Sequence, residues 1–379
     1  GTLVIAVFTV ILIYGMKLYL NIQMIMFGFG VLWFLLIWAL LATHTHTDFV
    51  NGWNALSAQY GSGTYDQLNG AATTAGVSIA PSVQATLLLM PISFWGLGYP
   101  YFAAFIAGET KSVHRSTMIG MPAALALCGI SWYITNYFLQ SIVGQNFLAS
   151  VSYFGGNGVA PYTLPFYPNF EVFAAVLTNN SILIFLIGFG FIAWNLLYAA
   201  LSIIGQSRIA LAWSFDRIAP PIFGEVSERT HTPWKNMVIF AIGGEILLFI
   251  YAFYAPVLLV SYTATIPQIL TTFILTSIAA MVIPFRKKLK TVYEMSAVSK
   301  YKIASIPIIS VCGVIYFGIL VAVLYYYFTD PALGSLYVPS LAVTGAVYVF
   351  GLIYFYAIRS YRMKQGIDIR LAYTELPPE

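Results

Sequence analysis

Phe94-Trp95-Gly96-Leu97-Gly98-Tyr99-Pro100 lies in the middle of an apolar run that starts at Thr86 and closes on Gly108-Glu109-Thr110-Lys111. The run is long enough to cross a bilayer, which takes about 20 residues of apolar helix. Gly96, Gly98 and Pro100 stand at its centre, where glycine weakens a helix and proline removes a backbone donor. The stretch therefore predicts a helix interrupted over 94–100. Backbone groups freed by the interruption cannot face lipid, so they turn toward protein or a cavity, and in transporters such broken helices hold the substrate. A kinked but continuous helix accounts for the same residues, because Gly and Pro are commoner in membrane helices than in soluble ones.

The rest of the chain is of one kind with this run. Hydrophobic residues make up 60% and charged residues 8%, where an ordinary soluble domain carries roughly 25% charged residues. The composition is that of a polytopic membrane protein. Nine spans are predicted, at 1–16, 22–43, 86–109, 117–143, 181–206, 237–255, 257–284, 304–328 and 337–358. When the connections are placed alternately on two sides, all 17 Lys and Arg fall on one side, from Lys17 and Lys111 through the 286–302 connection to Arg370. The opposite loops carry only Asp48, Asp66, Glu171 and Asp330. Positive charge stays on the cytoplasmic side of membrane proteins, so that side and the carboxyl end are expected to be cytoplasmic. The net charge of +4 then reflects orientation and does not point to nucleic acid. Nine spans with a cytoplasmic carboxyl end put Gly1 outside. The chain opens within an apolar run without an initiator Met or a signal-peptide pattern, so an odd number of upstream spans is expected.

Lys17 to Gln23 is predicted to be a tight cytoplasmic turn joining the first two spans as an antiparallel hairpin. Residues 44–85 and the stretch punctuated by Gly155, Gly156, Gly158, Pro161, Pro165 and Pro168 read as neutral outer loops, with a short interfacial helix expected over 170–177. Few carboxylates there would suit an acidic exterior. His44 and His46 have no third ligand nearby, and Cys128 and Cys312 read as small buried hydrophobes, so neither metal nor cofactor is expected.

A second informative stretch follows the fifth span. Ser207-Arg208, Asp216, Pro220-Pro221 and Thr232-Pro233 form a charged connector. Their spacing resembles the cytoplasmic connection after the eighth helix of amino acid–polyamine–organocation (APC) superfamily transporters. Gly98-Tyr99 running into Gly108-Glu109-Thr110-Lys111 is similar to that family's broken sixth helix, and Gly15-Met16-Lys17 with Ile22-Gln23 fits the connection of its fourth and fifth helices. The resemblance covers the family's helices four to twelve. It implies an all-α polytopic membrane protein with the LeuT-type inverted-repeat fold, incomplete at its amino end. Residues 1–43 would end the first repeat, 86–284 would form the second five-helix repeat with its broken helix at 94–100, 304–358 two further helices, and 359–379 a cytoplasmic tail. Departures stand at Pro100, where many members have an acidic residue; at Ser112-Val113 in place of Asn-Pro; at Gly30, where some proton-coupled members carry Lys; and at Leu197 and Tyr198, near the hydroxyl ligands of sodium-coupled relatives.

The resemblance implies a substrate site at Phe94, Trp95, Gly96, Leu97, Gly98 and Tyr99. Asn195, Tyr198 and Ser202 share one helical face by their spacing and could complete it; interhelical hydrogen bonding explains that face equally. Glu109, Lys111, Arg208 and Asp216 are expected at a cytoplasmic gate. Glu245 is the acid furthest inside an apolar run, a functional candidate by position, although a structural or neutral role is favoured. The function implied is a secondary active permease of the plasma membrane for neutral or aromatic amino acids, working by alternating access without sodium, with a proton as the candidate coupling ion. A polyamine or other organic-cation permease is the alternative. A channel or a polytopic membrane enzyme lacks the repeated pore residues or the convergent polar cluster that it would need.

Overall fold

In a computed structural model the described residues are 1–77, 82–254, 256–329 and 337–373. They contain eight helices long and apolar enough to cross a membrane. A further apolar helix, α1 (Thr2–Tyr14), has 13 residues, so the nine predicted spans correspond to eight long helices and this shorter one. The expected turn at Lys17–Gln23 is also displaced. α2 runs unbroken over Met16–Thr43, and the corner is the single residue Gly15 at φ 130, a conformation that only glycine adopts readily. Lys17, Asn21 and Gln23 are polar residues of a helix, not of a loop.

The two stretches read as outer loops fold together. α3 (His46–Tyr60) and α4 (Tyr65–Thr74) start at reciprocal capping boxes, Thr45 with Asp48 and Thr64 with Gln67, which satisfy amide groups left open at a helix start. α8 (Met121–Phe138) leads through a π-helical turn, 139–144, into α9 (Gln145–Asn157). The short helix expected over 170–177 is α10 (Phe170–Ala175). Phe49, Trp53, Leu68, Phe147 and Val151 are fully buried between these helices. Trp53 meets Phe147 edge-on at 4.9 Å, and Tyr65 stacks on Phe147 at 4.3 Å. The cap therefore has its own aromatic core. Its sparse charge reflects that packing. Asp330 and residues 374–379 of the tail lie outside the described residues.

Glu171, in α10, is buried with one carboxylate oxygen lacking any hydrogen-bond partner. Burial pushes its carboxyl above the usual range, because the charged form loses its water. The folded state then holds the proton more tightly than the unfolded state. Its contribution to cap stability is fully present below the ordinary Glu value and is lost as pH rises through the raised one. Glu171→Gln is expected to be more stable than wild type at neutral pH and to flatten this dependence. Parallel pH profiles of thermal unfolding for the two proteins would contradict the assignment.

Within the spans, α2 and α11 (Ser181–Ala199) interlock by reciprocal notches. A Cβ at Gly190 would lie 2.2 Å from Trp33 of α2, and one at Gly30 would lie 2.2 Å from Trp194 of α11. Trp33 is buried and its Nε1 donates to the Ile187 carbonyl at 2.8 Å. The Gly190 notch reaches back to the indole's own Cβ, at 2.7 Å, so no flexible end can swing away. Gly190→Ala should destabilise the protein by about 1–3 kcal/mol, read as a lower melting temperature in detergent; an unchanged melting temperature would show that the helices separate freely.

α11 passes through Ala200, which keeps right-handed angles, into α12 (Leu201–Phe215), and α13 (Trp234–Phe253) follows. α14 (Pro256–Val282) contains Pro267, which cannot donate to the carbonyl four residues back. That carbonyl, on Thr263, accepts instead from the Tyr327 hydroxyl of α15 (Ile308–Thr329) at 2.5 Å. α16 (Val338–Lys364) extends through the expected tail start, and its Tyr354 and Arg362 donate to the carbonyls of Ile218 and Arg217 at 2.8 and 3.0 Å. Cys128 and Cys312, expected to be buried, are exposed on their helices; in a spanning helix an outward thiol still meets apolar surroundings.

Candidate functional site

The helix that enters the site is α6 (Met90–Leu97). Beyond it the chain tightens into a 3₁₀ turn, Tyr99–Tyr101, then a single α turn, α7 (Phe102–Phe105), then another 3₁₀ turn, Ala107–Glu109. Gly98 keeps right-handed angles, φ −72 and ψ −13, and its N–H donates to the Phe94 carbonyl at 2.8 Å. The chain over 94–100 is thus neither an extended gap nor a uniform helix. Pro100 has no N–H for the Gly96 carbonyl, so a regular ladder cannot pass this point.

Phe94, Trp95, Gly98 and Tyr99 line one narrow crevice with Tyr101, Ile269 and Phe273, whose free volume of about 10 Å³ is room for a single water. Its walls are rings in contact: Trp95 with Tyr99 at 5.7 Å, Phe94 with Phe273 at 6.2 Å and Tyr101 with Phe273 at 5.0 Å. Tyr198 of α11 stands edge-on to Tyr99 at 5.3 Å. No charged side chain lines it among the described residues. The lining suits apolar or aromatic matter only if the rings part to make room; its polar atoms are the Trp95 indole N–H and the two Tyr hydroxyls.

Other expected members lie elsewhere. Gly96 faces α8, where a Cβ would come within 2.3 Å of Trp132, and Leu97 is half-buried and does not line the crevice. Asn195 donates to the Phe191 carbonyl of its own helix at 2.8 Å. Ser202 opens on a separate crevice of about 320 Å³ with Ile5, Gln206 and residues of α13. Ile269 and Phe273 were missed because apolar residues in an apolar span carry no signal of which cavity they face. Pro267, six residues before Phe273, is the nearest hint.

Arg208 and Glu109 do meet. Arg208 Nε donates to Glu109 Oε1 at 3.0 Å and Nη2 lies 2.9 Å from the same oxygen. Arg208 Nη1 donates to Ser207 Oγ at 3.1 Å, which itself donates to the Ile204 carbonyl at 2.9 Å. The Arg208 side chain is 8% exposed and that of Glu109 43%, so the pair sits at the rim of the protein with its cationic half inside. It ties α12 to the end of the interrupted segment. Asn236 of α13 braces the same turn by donating to the carbonyls of Ser207 and Phe223 at 3.1 and 2.8 Å. Asp216 caps the end of α12 and lines a groove with Arg217, Asp368 and Ile369. Lys111 is exposed, and neither it nor Asp216 forms an ion pair among the described residues.

Two positions bear on coupling. The Trp194 indole fills the volume that a side chain at Gly30 would need, so a lysine there has no room. Gln23 Nε2 donates to the Leu197 carbonyl at 3.1 Å, tying α2 to the end of α11. Glu245 accepts from the Thr2 hydroxyl at 2.5 Å, which pairs α13 with α1. His44 and His46 each place Nδ1 2.8 Å from a backbone carbonyl, of Leu40 and Ile142. No cluster of three or more His, Cys, Asp or Glu able to hold a metal occurs among the described residues.

Long apolar helices, most of them able to cross a bilayer, define a polytopic α-helical membrane protein. The chain belongs to the amino acid permease family, whose model matches residues 1–355. No curated protein and no solved structure matches it. Membership makes it a multi-pass permease of the amino acid and organic cation kind, with a small-molecule substrate and a lipid environment.

Proposed function

We propose that this permease is a secondary active transporter of neutral or aromatic amino acids, working by alternating access at the plasma membrane on a LeuT-type fold. The observation that carries the substrate class is the uncharged aromatic crevice at Phe94, Trp95, Gly98 and Tyr99. A substrate with a charged side chain would be desolvated there without a counter-charge, which is costly. The half-helix ending near Leu97 presents the negative end of its dipole, suited to a substrate ammonium. Glu109 and Arg208 act as the inner gate, on the reading that the Lys- and Arg-bearing side is cytoplasmic. Lys111 and Asp216 contribute charge around that gate without joining the pair. Residues 1–43, 86–284 and 304–358 serve as the end of one repeat, the second repeat and two added helices.

An aromatic-lined crevice also suits an organic cation through the faces of its rings, and this favours the polyamine or organic-cation permease as the second reading. Reconstituted protein separates the two. Saturable, stereoselective counterflow of a neutral aromatic amino acid, not displaced by polyamine, is the expected result; displacement by polyamine and not by the amino acid would reverse the assignment, and unsaturable ion current would make the protein a channel. With no titratable group at Gly30 and no side-chain oxygen at Leu197, uptake should be unchanged when sodium is replaced at constant pH and voltage. Uptake driven by a sodium gradient would refute this, and dependence on a proton gradient would direct attention to Glu245.

A further inference from the structure

Between α14 and α15 the chain does not cross directly. It passes through 3₁₀ turns at Lys287–Leu289 and Ala297–Lys300, a short helix at Lys290–Met295, and a two-stranded hairpin pairing Lys302 with Pro307 and Ile303 with Ile306. Both turn residues of that hairpin, Ala304 at φ 47 and Ser305 at φ 71, are left-handed. Two-residue hairpin turns of this form strongly favour Asn-Gly, and an L-residue with a Cβ adopts the conformation at a cost. The strained turn projects the directly paired Ile303 and Ile306, 52% and 49% exposed, on one face. Leu289 at the end of the preceding turn, and Val292 and Met295 in the short helix, spaced by three, are also exposed, Met295 by 83%.

Cations surround these side chains: Arg286, Lys287, Lys288, Lys290, Lys300 and Lys302. Among the described residues, the carboxylate paired with any of them is Glu294, 3.7 Å from Lys290, with both groups exposed. Exposed apolar residues interleaved with unneutralised lysine, in short elements held beside the ends of two spanning helices, have the character of a segment lying in a lipid headgroup layer. Its apolar side chains enter the acyl boundary and its ammonium groups meet anionic headgroups. The orientation rule explains why lysine accumulates on this side. It does not explain why solvent-facing Ile, Leu, Val and Met accompany it.

We propose that residues 285–307 are a docking surface for the headgroups of anionic phospholipids in the cytoplasmic leaflet. This rests on the orientation used for the proposed function but not on its substrate.

The test uses the full chain with Cys128 and Cys312 replaced by Ser and a single Ile303→Cys labelled with a polarity-sensitive fluorophore. It is reconstituted in phosphatidylcholine vesicles with increasing phosphatidylglycerol. Emission is expected to shift to the blue as the anionic fraction rises. The quadruple variant K287Q/K288Q/K290Q/K302Q should need at least about tenfold more phosphatidylglycerol for half of the shift. Water-like emission at every composition would overturn the proposal. So would a blue shift already complete in pure phosphatidylcholine and indifferent to the lysines, which would mean apolar insertion alone, and so would a shift seen only on adding a soluble protein extract. A membrane-impermeant quencher applied to intact cells tests the orientation separately: quenching from outside would remove the cytoplasmic assignment, while the vesicle titration would still report lipid binding.

Discussion

Gly98→Val is expected to weaken substrate binding strongly and to lower saturable uptake with it. A Cβ at position 98 would stand 2.7 Å from the Phe94 carbonyl oxygen, a backbone atom that cannot rotate away, and the same oxygen already accepts the Gly98 N–H at 2.8 Å. The turn must open for the side chain to fit, and that displaces Trp95 and Tyr99 from the crevice they line. Overpacking of this kind costs about 1–3 kcal/mol, which at the site itself corresponds to a roughly 5- to 150-fold loss of affinity. Phe94→Ala is the companion change, since it widens the crevice without straining the chain. Equilibrium binding and uptake, with folding checked by gel filtration, decide the matter. Near-normal affinity and rate in both variants would place the substrate elsewhere and leave the crevice as packing.

The second large effect is expected at Arg208. Its guanidinium is almost wholly enclosed, and in Arg208→Ala the Glu109 carboxylate loses its cation at the end of the interrupted segment. Removing one partner of a fully buried pair costs about 3–5 kcal/mol, but Glu109 is 43% exposed, so solvent recovers much of that loss and about 1–2 kcal/mol is the more fitting size. If the pair closes the inner side, the cost falls on the closed state. Transport rate should then drop on the order of tenfold while equilibrium affinity changes little. The exchanged pair Arg208→Glu with Glu109→Arg should recover part of the rate, whereas each single change should not. An unchanged rate in folded Arg208→Ala protein would reduce the pair to an ordinary structural contact.

The apolar spans, the loss of regular helix after Leu97 and the short helix near 170 were legible because each depends on local chemistry: run length, Gly and Pro, and a flanking polar segment. The Arg208–Glu109 contact was legible only through a resemblance, since the partners are 99 residues apart. The cap was misjudged for an identifiable reason. Gly, Ser, Thr and Asn in 44–77 were read as loop formers, yet the Thr45 and Thr64 capping boxes were there to be seen, as was the i, i+4 pair Phe49 and Trp53 on one helical face. Polar residues near Lys17 suggested a turn, but a helix carries such residues without breaking, and the corner needed the positive φ of Gly15. The membership of Phe273 in the crevice, the placement of Ser202 at a separate crevice, and the filling of the Gly30 notch by Trp194 are tertiary facts. Nothing in their immediate neighbours encodes them.

The ties from α16 to the end of α12 also set an order of events during synthesis. The carbonyls of Arg217 and Ile218 accept from Arg362 and Tyr354, which follow them by 145 and 136 residues. A ribosome adding about 5–20 residues per second needs roughly 7 to 30 s to supply those donors. Throughout that interval the turn after α12, where Arg217 holds φ 60, must keep its carbonyls on water or on the translocation machinery. A nascent chain arrested before Tyr354 can carry all of α12 to α15 and still leave that turn unlatched, so the turn stays open to recognition until α16 arrives.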